Sequence, residues 1–272
     1  MRPPLTWLYV PADRPDRVAR ALDSDADVVI VDLEDAVAPA RKDEARAAAA
    51  RLLAGADRPA QLRINHPDTP WHAGDLAALA GLPAAVGARL PKVESPDQVR
   101  DLAARLPGRP LHPLLESALG VERAFEIAAA SPAVASLGLG EADLSSDLRA
   151  DGDAALAWAR GRTVVAARAA GLPPPAMSVY PRVGDPEGLA ASCAAGRALG
   201  FCGRAAIHPA QLPVIRAAFL PTPDEVDRAR TVLARVGEAA DAGVGAIALP
   251  DGTFLDRAML DRARATLALA DR

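Results

Sequence analysis

Eight short apolar runs, each followed by a stretch of helical length, constrain this chain more than any other feature. They cover residues 5–10, 28–31, 60–64, 87–91, 111–115, 134–140, 176–179 and 204–207. Continuous apolar runs bounded by Pro, Gly or charge read as strands buried on both faces, and strands joined by crossovers of helical length lie parallel. Eight such units in 272 residues predict an α/β chain folded as a (β/α)8 TIM barrel over residues 1–221, with its chemistry at the C-terminal strand ends. After Pro221-Thr222-Pro223 the composition shifts. Two further helices there predict a C-terminal helical extension, 222–272, acting as a lid on its own barrel or an arm onto a neighbouring subunit.

Charged residues stand where the apolar runs stop. The run 111–115 ends at Glu116, and 134–140 ends at Glu141 and Asp143. With the helix-length segment 117–131 between them, Glu116 and Asp143 would arrive side by side at the ends of successive parallel strands. Two carboxylates with room for water and a substrate oxygen suit Mg2+; alternatively, both are helix-start acids facing the dipole. Beyond the second run, Asp32-Leu33-Glu34-Asp35 places three carboxylates in four residues. Such repulsion is tolerated near a cation, beside arginines, or at a helix start. Arg63 lies inside the third run, where it would grip an anionic substrate bidentately or pair with that acid cluster. Arg14 and Arg17 open the first helix, as anion holders or as solvated charges.

A net charge of -4 gives no electrostatic case for nucleic acid, and no run has the length of a membrane span. Met1-Arg2-Pro3-Pro4 leads into the first strand without the apolar core of a signal peptide, and Cys193 and Cys202 have no metal-ligand spacing. A cytoplasmic enzyme with reduced thiols is expected.

Six pieces in order, Leu8-Tyr9-Val10-Pro11-Ala12-Asp13-Arg14, Val31-Asp32-Leu33-Glu34-Asp35-Ala36-Val37, Arg63-Ile64-Asn65, Pro91-Lys92-Val93-Glu94, Leu115-Glu116-Ser117-Ala118-Leu119-Gly120 and Ala206-Ile207-His208-Pro209, resemble the citrate lyase beta-subunit-like family along almost the whole chain. The resemblance implies a (β/α)8 barrel, a Mg2+ ion, a homo-oligomer of trimeric type, and cleavage or formation of a carbon–carbon bond beside a CoA thioester of the citryl, malyl or citramalyl type. It makes Glu116 and Asp143 the metal ligands and Arg63 the holder of the oxo-acid or hydroxy-acid carboxylate. Tyr9 would touch substrate, and Ile207 and His208 the CoA. Asp256 would reach a neighbouring subunit's site to exchange the thioester methyl proton, with Glu34 as the alternative base. Two departures stand out: Ala12 where relatives often have glycine, and no proline two positions after Asp256. Competing readings are an aldolase of free oxo acids with the same metal site, and a citrate lyase beta subunit that works only with partner subunits and an acyl carrier.

Overall fold

The computed structural model describes residues 3–241, 247–248, 254–255 and 257–270. One compact unit, Pro3–Arg216, is built on seven parallel strands: β1 (Thr6–Pro11), β2 (Val28–Asp32), β3 (Ala60–Arg63), β4 (Gly87–Leu90), β5 (Leu111–Leu115), β6 (Gly138–Leu139) and β7 (Arg204–Ala206). Their spatial order is β6-β5-β4-β3-β2-β1-β7. Ala176 bridges Gly138 and Met177 bridges Arg204, both in parallel, so residues 176–177 close the ring. The expected barrel is present, with its seventh strand reduced from 176–179 to two bridging residues.

The helices are α1 (Pro15–Leu22), α2 (Lys42–Leu53), α3 (His72–Ala80), α4 (Pro96–Arg105), α5 (Ala118–Glu122), α6 (Ala124–Ala128), α7 (Glu141–Leu148), α8 (Ala157–Ala169), α9 (Pro186–Leu199), α10 (Leu212–Phe219), α11 (Pro223–Asp241) and α12 (Arg257–Ala270). Local chemistry sets several boundaries. Ser95 and Gln98 form a reciprocal capping box before α4, with Pro96 at its first turn. Asp185 accepts from the Gly188 N–H before α9, and Gly200 ends that helix left-handed. These are the signals by which a helix satisfies its unpaired end groups.

The sixth strand, expected over 134–140, is Gly138–Leu139 alone, and three helical stretches differ from expectation. Segment 117–131 is two short helices broken at Arg123 (φ -91, ψ 15). The long helix expected over 151–170 is α8 preceded by a 3-10 turn, Asp153–Leu156. Helix α7 was not expected: Leu144 is its only buried residue, so it carries no apolar period to read.

Inside the barrel Trp7, Val28, Ile30 and Ala205 pack together, with Tyr9, Ala176 and Val179 against them. Because alternate strand residues share a face, the positions that continue this inward file toward the C-terminal mouth include Tyr9, Asp32, Arg63, Arg89 and Glu116. A polar mouth above an apolar floor follows directly from strand register.

The second compact unit spans Ala217–Arg272. Its α11 and α12 bury Ala229, Val232 and Ala263 against Leu233, Val236, Met259, Leu260 and Leu267. Two short antiparallel strands, β8 (Ile247–Ala248) and β9 (Phe254–Leu255), pair between them in sequence. Among the described residues no helix is long and apolar enough to cross a membrane.

The closure between β1 and β7 depends on Gly203, which has φ +86 and whose added Cβ would strike the Leu5 backbone. Gly203→Ala is therefore expected to cost about 3 kcal/mol or more in urea unfolding, from backbone strain plus collision. Gly152→Ala, at φ +87 with open space around it, should cost less, about 1 to 2 kcal/mol, from backbone strain alone.

Candidate active site

The C-terminal strand ends frame a cavity of about 400 Å³, with Tyr9, Asp32, Asp35, Arg63, Arg89, Glu116, Asp143 and Ile207 on its wall. Asp32 closes β2, Arg63 closes β3, and the two are register partners. Their side chains form a two-point clamp: Arg63 Nε donates to Asp32 Oδ1 and Nη2 to Oδ2, both at 2.7 Å. Arg63 Nη1 lies 2.7 Å from Glu34 and 3.4 Å from Asp35. Burial alone would lower the Arg63 pKa, but Asp32 and Glu34 outweigh it and keep the guanidinium charged. Of the two roles read for Arg63, the ion pair with the acid cluster is present, and the residue also lines the cavity. Asp32 further accepts the N–H groups of Glu34 and Ala36, at 2.8 and 3.2 Å, which folds the acid loop back over the clamp.

Lys92, two residues beyond β4, is left-handed at φ 51. That turn aims its backbone N–H at Glu116 Oε1, 2.6 Å away. Its ammonium donates to Glu34 Oε1 at 2.7 Å and stands 3.6 Å from Asp143, 3.9 Å from Asp35 and 4.0 Å from Glu116. Four carboxylates thus surround one cationic point. Lys92 is a site residue that the strand-end acids do not reveal by themselves, although a basic residue just past an apolar run is the same sequence signal that marks those acids.

Glu116 emerges from the end of β5 and is buried. Burial first, then Glu34 and Asp143, push its carboxyl up to about 7 against the opposing effect of Lys92. A side chain at Gly140 would run into that carboxylate, so the glycine makes room for it. Glu34 is also raised by burial, with Arg63 and Lys92 opposing, its Oε2 paired with Arg63 Nη1 and its Oε1 with Lys92. This end of the cavity is short of positive charge, the condition a divalent ion relieves. Among the described residues no three His, Cys, Asp or Glu side chains converge as a metal cage. The available donors are Glu116 and Asp143, oxygen ligands with positions left over, which fit Mg2+.

Asp143 does not close a strand. The chain turns at Gly140 directly into α7, placing Glu141 and Asp143 in its first turn, so the strand-end position read for Asp143 is corrected. Glu141 is taken by Arg160 at 2.7 Å, whereas Asp143 stays beside Lys92. Behind the acid loop, buried Lys42 donates to the carbonyls of Leu33 and Glu34 and to Asn65 Oδ1, at 2.6 to 2.7 Å. Asn65 in turn donates to Asp75, which Arg46 pairs at 2.7 Å. This chain ties the β2 loop to the β3 loop.

The other expected residues divide. Tyr9 lines the cavity, and its ring lies 5.3 Å from the Arg63 guanidinium. Ile207 is on the wall and 43% exposed. His208 is exposed and caps the next turn by accepting from the Ala210 N–H. Arg17 is exposed on α1, away from the cavity wall. Glu34 is held between Arg63 and Lys92, off the wall. Asp256 lies outside the described residues.

A parallel α/β barrel with acids and cations gathered at its C-terminal mouth has the architecture of a barrel enzyme. The chain belongs to the HpcH/HpaI aldolase/citrate lyase family, whose family model matches residues 5–209. It is 38% identical over 271 residues to a (3S)-malyl-CoA thioesterase from Cereibacter sphaeroides, covering 97% of this chain and 93% of that one. It is 34% identical over 286 residues to the citrate lyase subunit beta of Leuconostoc mesenteroides subsp. cremoris, covering 98% and 93%. The crystal structure of the protein CitE from Mycobacterium tuberculosis in complex with magnesium, acetoacetate and coenzyme A superposes with a TM-score of 0.86 at 37% identity, covering 99% of this chain and 98% of that one.

Removing one partner of a buried pair strands the other charge. Asp32→Ala is therefore expected to cost about 3 kcal/mol in urea unfolding. Asp35→Ala, at a largely exposed position, should cost under about 0.5 kcal/mol.

Proposed function

We propose that the chain is a Mg2+-dependent carbon–carbon lyase acting on a 3-hydroxy-acyl-CoA thioester such as citryl-CoA, malyl-CoA or citramalyl-CoA. It would release, or condense in reverse, a 2-oxo acid and acetyl-CoA or a related thioester. The carrying observation is the pair Glu116 and Asp143 facing one cationic point on the cavity wall. Support comes from related structures whose ligands are magnesium with acetoacetate and coenzyme A and magnesium with oxaloacetate.

Glu116 and Asp143 would hold the ion, which when bound supplies a Lewis acid at the substrate hydroxyl or keto oxygen. The Lys92 N–H fixes the Glu116 carboxylate, and Gly140 leaves space beside it. Arg63, locked by Asp32, places a fixed positive charge on the wall where the carboxylate next to the reacting oxygen would lie, so no reorganisation is required there during the reaction. Lys92 and Arg63 together offset the charge of Glu34, Asp35 and Asp32, which would otherwise repel an anionic substrate. The exposed apolar Ile207 at the rim suits the pantetheine arm of a CoA ester. A trimeric homo-oligomer and a cytoplasmic setting belong to the same proposal.

The test is to assay the purified chain with the three thioesters, with EDTA or with Mg2+, following both oxo acid and free thiol. Cleavage should require Mg2+. Glu116→Gln and Asp143→Asn should each lower kcat/KM by at least about a hundredfold with an unchanged circular-dichroism spectrum. Full activity in EDTA, or in both variants, would sink the metal site. Free thiol without oxo acid would instead mean hydrolysis, the reaction named for the Cereibacter relatives.

A further inference from the structure

Arg89 is a guanidinium that the scheme above does not use. It lies in β4 as the register partner of Arg63, on the same cavity wall, and is 7% exposed. Burying a charge of this kind is costly unless it is paired. Arg63 has Asp32 and Glu34. Arg89 has neutral partners: its Nε donates to the Tyr9 hydroxyl at 2.7 Å, and its Nη1 to Gln61 Oε1 at 3.3 Å. Among the described residues no carboxylate pairs with it, and none accepts a hydrogen bond from its Nη2. The nearby imidazole is neutral, since burial and then Arg89 itself push His112 down to about 3, so it neither pairs with Arg89 nor adds to its charge. The Arg89 guanidinium also lies 5.6 Å from the Tyr9 ring, so one aromatic residue orients it from the face and through the hydroxyl.

We infer that Arg89, oriented by Tyr9, is a specificity-determining residue that binds a second carboxylate on the oxo-acid part of the substrate. This rests on the lyase reading for the position of the first carboxylate, beside Arg63 and the ion. With Nε and Nη1 fixing its plane, Arg89 keeps Nη2 as a charged donor without an acceptor among the described residues, and a carboxylate in the adjoining cavity would supply one. The site would then take dicarboxylic oxo acids in preference to monocarboxylic ones of the same size, since a methyl group would leave the buried guanidinium without its anion.

The deciding measurement is calorimetric binding, in Mg2+, of freshly prepared oxaloacetate against 2-oxobutyrate, in which a methyl replaces the distal carboxylate. Wild type should bind oxaloacetate at least about tenfold more tightly. Arg89→Met should bring the ratio close to one while changing 2-oxobutyrate affinity less than about threefold, and Arg89→Lys should give an intermediate ratio. Equal affinities in wild type, or a wild-type ratio retained by a folded Arg89→Met, would overturn the assignment of Arg89 and leave the lyase reading intact. Binding of neither acid by wild type would overturn the lyase reading itself.

Discussion

A guanidinium at the end of a buried strand is costly without an anion beside it, and Arg63 finds one across one register step at Asp32. The clamp joins the tips of β2 and β3 through two parallel hydrogen bonds, a geometry only arginine and a carboxylate provide. Much of the mouth follows from it. With Asp32 committed, its oxygens also hold the N–H groups that curl the acid loop, and the curl puts Glu34 between Arg63 and Lys92. Lys92 then reaches the carboxylates that end β5 and open α7. The order of pairs around the mouth repeats the order of strands in the barrel, so each contact depends on its neighbour's register.

The same network shows why the cavity suits a divalent cation. Glu116 and Glu34 are both buried, and both carboxyls are raised although cations stand within reach. Compensation is therefore partial, and it sits on the wall rather than in the open volume. An ion placed between Glu116 and Asp143 would supply the missing charge without displacing the Asp32–Arg63 clamp. The apolar floor of Trp7, Val28, Ile30 and Ala205 excludes water beneath these charges, which strengthens every interaction above it.

Relatives that share this framework carry different activity names, thioester hydrolysis in one case and a citrate lyase subunit in another. Framework and chemistry are separable in barrels, because the sheet fixes where strand ends point while the wall beside them is set by individual side chains. Arg89 is such a side chain. Its partners are neutral, so its charge is available to discriminate among substrates that the metal end would treat alike.

Alternating apolar runs and helical lengths determined the barrel, because a run buried on both faces has few other parallel arrangements, and Ser95-Pro96 and Asp185-Pro186 determined helix starts through local capping. The acids beyond the strands were legible as well, since a carboxylate after an apolar run stands out in any register. Partner choice was not. Arg63 was open to a substrate or to Asp32 until strand register put Asp32 opposite it. Lys92 carried the same signal as the acids, a charge just past an apolar run, but it and Arg89 showed no partner locally, because their partners lie 24 to 80 positions away along the chain. Helix α7 was hidden for a related reason: with one buried leucine it has no periodicity of its own. Sequence alone marked Asp32, Arg63 and Glu116 at the strand ends, through local pattern and propensity; only the closed barrel moved Asp143 into a helix and decided which of these side chains touch, because that depends on long-range register and burial.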